Sequence, residues 1–233
     1  MKFQVHSDIH LEKYPNRRIK PKSPNLILAG DVGVPIFSSY KTFFRETSSE
    51  FDRIIYVLGN HEYERCWMGI DKNNFAILEQ KFKERNLLIK DILSQFQNIT
   101  ILDNQMIQIE GKTIYGSTLW TNYYEKKMNK KNNTPITEVQ RFLSLQNRLS
   151  YSGLNTYPEQ IPDILITHYV SNRRVLKKPW SIGLGPTSIL PSHFLSIFGH
   201  IHYPIDDVYE GQRIVCNPWD EEATLKEKVV YLD

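Results

Sequence analysis

The chain alternates short apolar runs with polar punctuation, and the runs have the length of strands. Seven stand out: Phe3 to Val5, Leu26 to Ala29, Ile54 to Leu58, Thr113 to Tyr115, Ile164 to Ile166, Leu195 to Phe198 and Arg213 to Val215. The stretch "IEGKTIYG" reads as a hairpin turning at Gly111, and "EKVVYLD" as a closing strand. Elsewhere the apolar period changes. Phe75, Leu78, Phe82, Ile89, Leu93 and Phe96 fall on one helical stripe, which predicts a long helix over residues 74–96. A second helix is predicted within "TPITEVQRFLSLQNRLSYSG", with Thr134 as cap and Pro135 at the first helical position. Ile136, Val139, Phe142, Leu143 and Leu149 form its inner face, and Gly153 is its stop. Strands alternating with helices predict an α/β layered architecture. No internal repeat or long linker divides the chain, so a single domain over residues 1–233 is expected.

The polar residues that end the strands have a pattern of their own. The first strand runs into Ser7, Asp8, Ile9 and His10; "NLILAGD" delivers Asp31; "YVLGNHEYER" delivers Asn60 and His61. "DILITHY" delivers His168, and "LSIFGHIH" delivers His200 and His202. Ligands gather beyond the carboxyl ends of strands in open α/β sheets, so these residues can converge in space. Each signal is weak alone. A D-x-H can be a turn aspartate before a surface histidine, Gly-Asp is a common turn pair, and G-H-x-H can be an exposed loop. Gly-Asn-His-Glu is rarer by chance. In this order, each after a strand, they point to a metal site. Two Asp, one Asn and four His mix hard oxygen with borderline nitrogen, which suits manganese, iron or zinc better than calcium or magnesium alone. Seven candidate ligands are too many for one ion and fit two ions sharing a carboxylate.

Composition narrows the classes. Hydrophobic residues make up 40% and charged residues 24%, as in a globular chain. The net charge of +3 mildly favours anionic partners and is too weak to indicate nucleic acid. Cys66 and Cys216 are too few for a structural Cys-based zinc site or a disulfide framework, and they read as buried free thiols. The opening "MKFQVHSDIHLEKY" carries no signal-peptide pattern, and no run approaches the roughly 18 apolar residues of a membrane span. A soluble, cytoplasmic protein with no membrane partner is expected.

As a set, Asp8-x-His10, Gly30-Asp31, Gly59-Asn60-His61-Glu62, His168 and Gly199-His200-x-His202 resemble the metallophosphoesterases, also called calcineurin-like phosphoesterases. "YGSTLW" and "IVCNP" resemble segments of small members of that family. The resemblance implies a four-layer α/β/β/α sandwich. It implies two divalent ions, manganese foremost, with iron, zinc or nickel as alternatives. Asp8, His10 and His202 would hold one ion, Asn60, His168 and His200 the other, and Asp31 would bridge them. His61 would be the general acid. Phosphate ester hydrolysis needs such parts: two cations about 3.5–4 Å apart acidify a bridging water into a hydroxide nucleophile and neutralise the phosphoryl oxygens. A histidine, titrating near neutral pH, then protonates the leaving oxygen. The chain departs from the family in one place. Many members read Gly-Asp-x-x-Asp-x-Gly, with the second carboxylate orienting the histidine in some; here "AGDVGVP" puts Val34 there. A backbone carbonyl or a carboxylate from elsewhere is left to orient His61. The same gap counts against the protein serine/threonine phosphatase branch.

Further expectations are looser. Arg173, Arg174 and Tyr63 are candidates for substrate binding, against a solvated helix face for the arginines and rim packing for Tyr63. The basic stretch "NYYEKKMNKKNNT" is either a solvated loop or a flap over an anionic substrate. Trp120, Trp180 and Trp219 read as packing residues, His6 as structural, His193 as a surface or cap residue, and Glu62 as structural or supporting. The expected function is hydrolysis of a phosphomonoester or phosphodiester on a soluble phosphorylated small molecule, with a nucleotide-like substrate compatible. The alternatives are a non-catalytic binding scaffold that keeps the fold and a metal-dependent nuclease.

Overall fold

A computed structural model describes residues 1–66, 68–70, 74–120, 161–171, 195–209, 211–219 and 229–231. The second predicted helix, the basic stretch 122–134, Arg173, Arg174, Trp180 and His193 lie outside the described residues. Two mixed sheets form the frame. The first has the order β11(Val229–Tyr231), β1(Lys2–His6), β2(Asn25–Ala29), β3(Arg53–Val57), β4(Ile99–Ile101), parallel except for β11. The second has the order β5(Gln105–Ile109), β6(Lys112–Ser117), β7(Ile164–Thr167), β8(Leu195–Phe198), β10(Gln212–Cys216), β9(Ile205–Tyr209), with parallel pairing from β6 through β10 and antiparallel edges.

The apolar runs are unbroken because both faces of the central strands are covered. Phe3, Val5, Ile27, Ala29, Ile55 and Val57 meet Ile114, Ile164, Ile166, Ile197 and Val215 in the core between the sheets. The alternate residues Leu26, Leu28, Ile54 and Tyr56 face the other way, onto α1(Ser38–Glu50) and α2(Phe75–Leu93). The outer face of the second sheet carries its own apolar cluster of Val170, Phe198, Ile214 and Cys216. The described residues thus give an α/β fold of two packed mixed sheets, with the described helices covering the first sheet, as expected for three of the four layers of an α/β/β/α sandwich.

The sequence anticipates most of these elements. The stripe of α2 buries Leu78, Phe82, Ile89 and Leu93, and Asn74 caps it by accepting a bond from the Ile77 amide at 3.3 Å. The helix ends at Leu93, leaving Phe96 to pack from beyond it. The hairpin pairs Ile109 with Lys112, and Glu110 (φ 48°) and Gly111 (φ 78°) are both left-handed, as a type I′ turn requires. Among the described residues four elements go unforeseen, the short 3-10 turn His61–Tyr63 among them. Helix α1 buries only Tyr40, Phe43, Phe44 and Thr47, and no side chain caps it. Strand β4 has three residues, and β9 is a largely exposed acidic edge.

The end of β1 is stitched to the end of β10 and so to the other sheet. The Ser7 amide donates to the Asn217 carbonyl (3.0 Å), the Trp219 amide to Ser7 (2.9 Å), and the Asn217 side chain to the Val5 carbonyl (2.8 Å). The "IVCNP" segment thereby brings the carboxyl ends of both sheets to one rim. Among the described residues no helix is long and apolar enough to cross a membrane.

Candidate metal centre

The loops leaving this rim coil tightly. Asp8, His10, Asp31, His200 and His202 all adopt left-handed backbone, with φ between 49° and 69°. Aspartate and histidine tolerate that region better than most residues, yet each such residue costs on the order of 1–3 kcal/mol. The cost is met by backbone bonds that lace the first two loops: Asp8 to Gly30 (3.0 Å), His10 to Asp31 (3.1 Å) and Leu11 to Val32 (3.0 Å). Space is as tight as the turns. A Cβ on Gly30 would stand 2.3 Å from His168 Nδ1, and one on Gly59 would stand 2.2 Å from Asp31 Oδ1.

Two clusters result. In the first, Asp8, His10 and His202 bring one ligand atom each within 4.8 Å of one another. His10 Nε2 and His202 Nε2 face each other at 3.1 Å, and Asp8 accepts from the His200 amide at 3.0 Å. In the second, Asp31, His168 and His200 do the same. The Asn60 side-chain oxygen stands 3.0 Å from both His168 Nε2 and His200 Nδ1. His168 Nδ1 meets the Ala29 carbonyl at 2.9 Å, so that nitrogen carries a proton and Nε2 is the atom turned toward the cluster. Asp31 also groups with His10 and His61, which puts it between the clusters.

This donor set fits a pair of divalent cations. Two imidazole nitrogens facing each other at 3.1 Å need a proton or a cation between them, and an amide oxygen flanked by two imidazole nitrogens has the same need. The carboxylates are ready as ligands. Burial would raise the Asp31 carboxyl, but His168 and His61 beside it hold it well below the ordinary range.

His61 adjoins both clusters. Its amide donates to Asp31 Oδ1 at 2.8 Å, and its Nε2 lies 3.9 Å from Asp31 Oδ2. Its Nδ1 lies 3.0 Å from Glu12 Oε1 and 3.3 Å from Glu64 Oε2. The Glu12 contact lies off the ring's N–H direction and acts as an ion pair rather than an aligned hydrogen bond. Burial disfavours the charged ring, but Asp31, Glu12 and Glu64 together push the His61 pKa up to about 11. Glu12 goes the other way. Burial opposes its charge, while bonds to His10 and His61 bring it to about 2.

The calcineurin-like phosphoesterase signature matches residues 1–204 of the chain. The chain belongs to the calcineurin-like phosphoesterase family. Members of this family typically bind two divalent ions, and the two Asp/His clusters fit that habit. The phosphopantetheinyl hydrolase of Mycobacterium tuberculosis shares the fold at a TM-score of 0.57, with 16% identity over 100% of this chain and 96% of that one. Uncharacterized protein L509 of Acanthamoeba polyphaga mimivirus is 35% identical over 115 residues, 46% of this chain. The match spans 37% of that longer viral protein.

Against this family frame, the seven sequence-predicted ligands come together and His61 stands beside them. Tyr63 does not line the pocket expected of it. It is 3% exposed, stacks on the Phe82 ring at 4.6 Å and donates its hydroxyl to Asn86, so it is a core residue. Trp120 is core and Trp219 packs against the same cluster, as expected. His6 is buried beside Gln4 and Trp219, and both cysteines are buried free thiols. Glu62 is a backbone clasp. Its carboxylate accepts from the amides of Asp31, Val32, Gly33 and Gly59 and from the Tyr56 hydroxyl. It thus ties the loop after β2 to the loop after β3. Sequence reasoning missed Glu12 and Glu64. The signal for Glu12 was present in the alternation Asp8, His10, Glu12, which puts an acid one step past the metal motif.

Proposed function

We propose that this phosphoesterase hydrolyses a phosphomonoester or phosphodiester of a soluble small molecule, with a nucleotide-like substrate compatible with the mild positive charge. The whole chain, residues 1–233, is taken as one domain. The reading rests on one observation above the rest: two clusters of metal-competent side chains, Asp8/His10/His202 and Asp31/His168/His200, lie side by side, and Asp31 also groups with His10 and His61. Asp8, His10 and His202 would hold one cation, Asn60, His168 and His200 the other, and Asp31 both. Bound there, divalent ions, with manganese the best match to this oxygen and nitrogen set, supply an acidified water and neutralise phosphoryl charge.

The chain's own residues do the rest. Asp31, Asn60 and His168 are buried, so the donors stay fixed without reorganisation during turnover. His61 is the general acid and gives its Nε2 proton to the leaving oxygen. Cations on Asp31 would cancel much of the negative field that raises the His61 pKa, bringing the ring toward the range where it can release a proton. Glu62 keeps the two loops in register under this exchange.

The test is direct. Purified protein supplied with Mn²⁺ is expected to hold close to two ions per chain and to cleave a nitrophenyl phosphate or its bis-ester. Protein that takes up no metal and cleaves neither ester ends the reading.

A further inference from the structure

We infer that Glu12 is the positioning carboxylate of His61 and fills, from a different loop, the role left open by Val34. The inference rests on the phosphoesterase reading and extends it to a residue outside the ligand set. Val34 is buried and has no group that could hold an imidazole. Among the described residues three carboxylates face His61. Asp31 addresses Nε2 at 3.9 Å and belongs to the metal clusters. Glu64 approaches Nδ1 at 3.3 Å, but its side chain is 39% exposed, so water screens it. Glu12 approaches Nδ1 at 3.0 Å with its side chain 8% exposed, where a charge acts at full strength.

One oxygen of Glu12 serves two rings. Oε1 lies 2.9 Å from His10 Nδ1 and 3.0 Å from His61 Nδ1, and the rings meet edge to face at 4.4 Å. Its other oxygen is buried and makes no hydrogen bond. The hydrogen bond to Glu12 keeps the His10 proton on Nδ1, and the same carboxylate draws the charged His61 ring round with its Nδ1 side toward it as an ion pair. His10 is left with a bare Nε2 facing His202, as a metal ligand requires. His61 is left with one proton to give, on Nε2. As the P–O bond breaks, its electron pair stays on the leaving oxygen and takes that proton; the ring returns to neutral with its Nδ1 side still facing Glu12. A single acid thus sets the tautomer of one ring and the orientation of the other.

The test compares Glu12→Ala, Glu12→Gln and Glu64→Gln at saturating Mn²⁺ on two esters, one with an alkoxide leaving group and one with a nitrophenolate that leaves without a proton. Glu12→Ala is expected to lose about 10²-fold or more in kcat on the alkyl ester and under about 3-fold on the nitrophenyl ester. Glu12→Gln keeps the volume should the alanine variant not fold; it is expected to retain two ions per chain and show the same leaving-group bias. Glu64→Gln, at the more exposed carboxylate, is expected to lose less on the alkyl ester than Glu12→Gln does. In a crystal structure of Glu12→Ala the His61 ring is expected to be turned from its wild-type setting. Adding Glu12→Ala to His61→Ala is expected to cost nothing further. Equal losses on both esters, activity regained by more Mn²⁺, an unmoved His61 ring or a multiplicative double variant overturns the inference while leaving the phosphoesterase reading standing. A wild-type protein inactive on both esters overturns both.

Discussion

His168 is fully buried, with its ring held between the Ala29 carbonyl and the Asn60 amide, whereas His202 exposes 53% of its side chain. They belong to the two clusters of the same site. The buried cluster is built before any ligand arrives: the Ala29 carbonyl holds His168, the His61 amide donates to Asp31, and Tyr169 packs against both His168 and His200. The open cluster has Asp8 and His10 fixed below and an exposed ring above. The difference teaches that one fold can give two similar donor sets unequal rigidity. The buried half is held by the fold, and the open half is where solvent has access.

The largest effect is expected where the halves join. Asp31→Asn removes the carboxylate that lies in the second cluster and also groups with His10 of the first. Turnover should fall by more than the ~10²–10⁴-fold that an acid step is worth, with fewer than two ions retained by elemental analysis. Full occupancy in that variant would mean the halves are independent. His61→Ala comes next: both ions stay and kcat falls about 10²–10⁴-fold, whereas wild-type turnover would remove the acid assignment.

The third experiment separates the halves. His168→Ala strands the Ala29 carbonyl and opens a cavity, so unfolding stability should drop by about 2–4 kcal/mol. His202→Ala should leave the melting transition of metal-free protein within about 0.5 kcal/mol, as an exposed substitution does, yet reduce metal content. Graded chelation of the wild type should remove the ion of the open cluster first. Equal melting of the two variants would contradict the asymmetry.

The smallest effect is a pH window in metal-free protein, and it sets two buried histidines against each other. Burial alone lowers the pKa of His6 to about 4, below its unfolded value of 6.5. The unfolded chain then binds the extra proton, so stability is lost as pH falls from 6.5 toward 4. Burial also disfavours charge on His168, but Asp31 outweighs it and brings the pKa to about 9. That contribution is complete below pH 6.5 and is lost as pH rises through 9. Each limb is of order 3 kcal/mol. Cations replace the proton between Asp31 and His168, so added Mn²⁺ should flatten the alkaline limb and leave the acid one. A stability curve that Mn²⁺ leaves unchanged above pH 7 would falsify this link.

The candidate ligand set could be read from the chain because metal chemistry restricts residue type, and strand ends restrict position; the structure brings those candidates together. Asp8, Asp31, Asn60, His168, His200 and His202 declared themselves by following apolar runs, and those runs became β1, β2, β3, β7 and β8. Helix α2 was legible from its stripe, while α1 was hidden by a short stripe among serines and threonines. Other properties exist only once distant segments meet. The left-handed turns at five of the ligands are imposed by the lacing of neighbouring loops. Tyr63 looked available beside the motif and was claimed by Phe82 and Asn86 on α2. Glu12 became the partner of His61 because the loop after β1 packs against the loop after β3. Residue chemistry is local and survives in a string of letters; burial and orientation are sums over non-local contacts, and they are settled when the chain closes on itself.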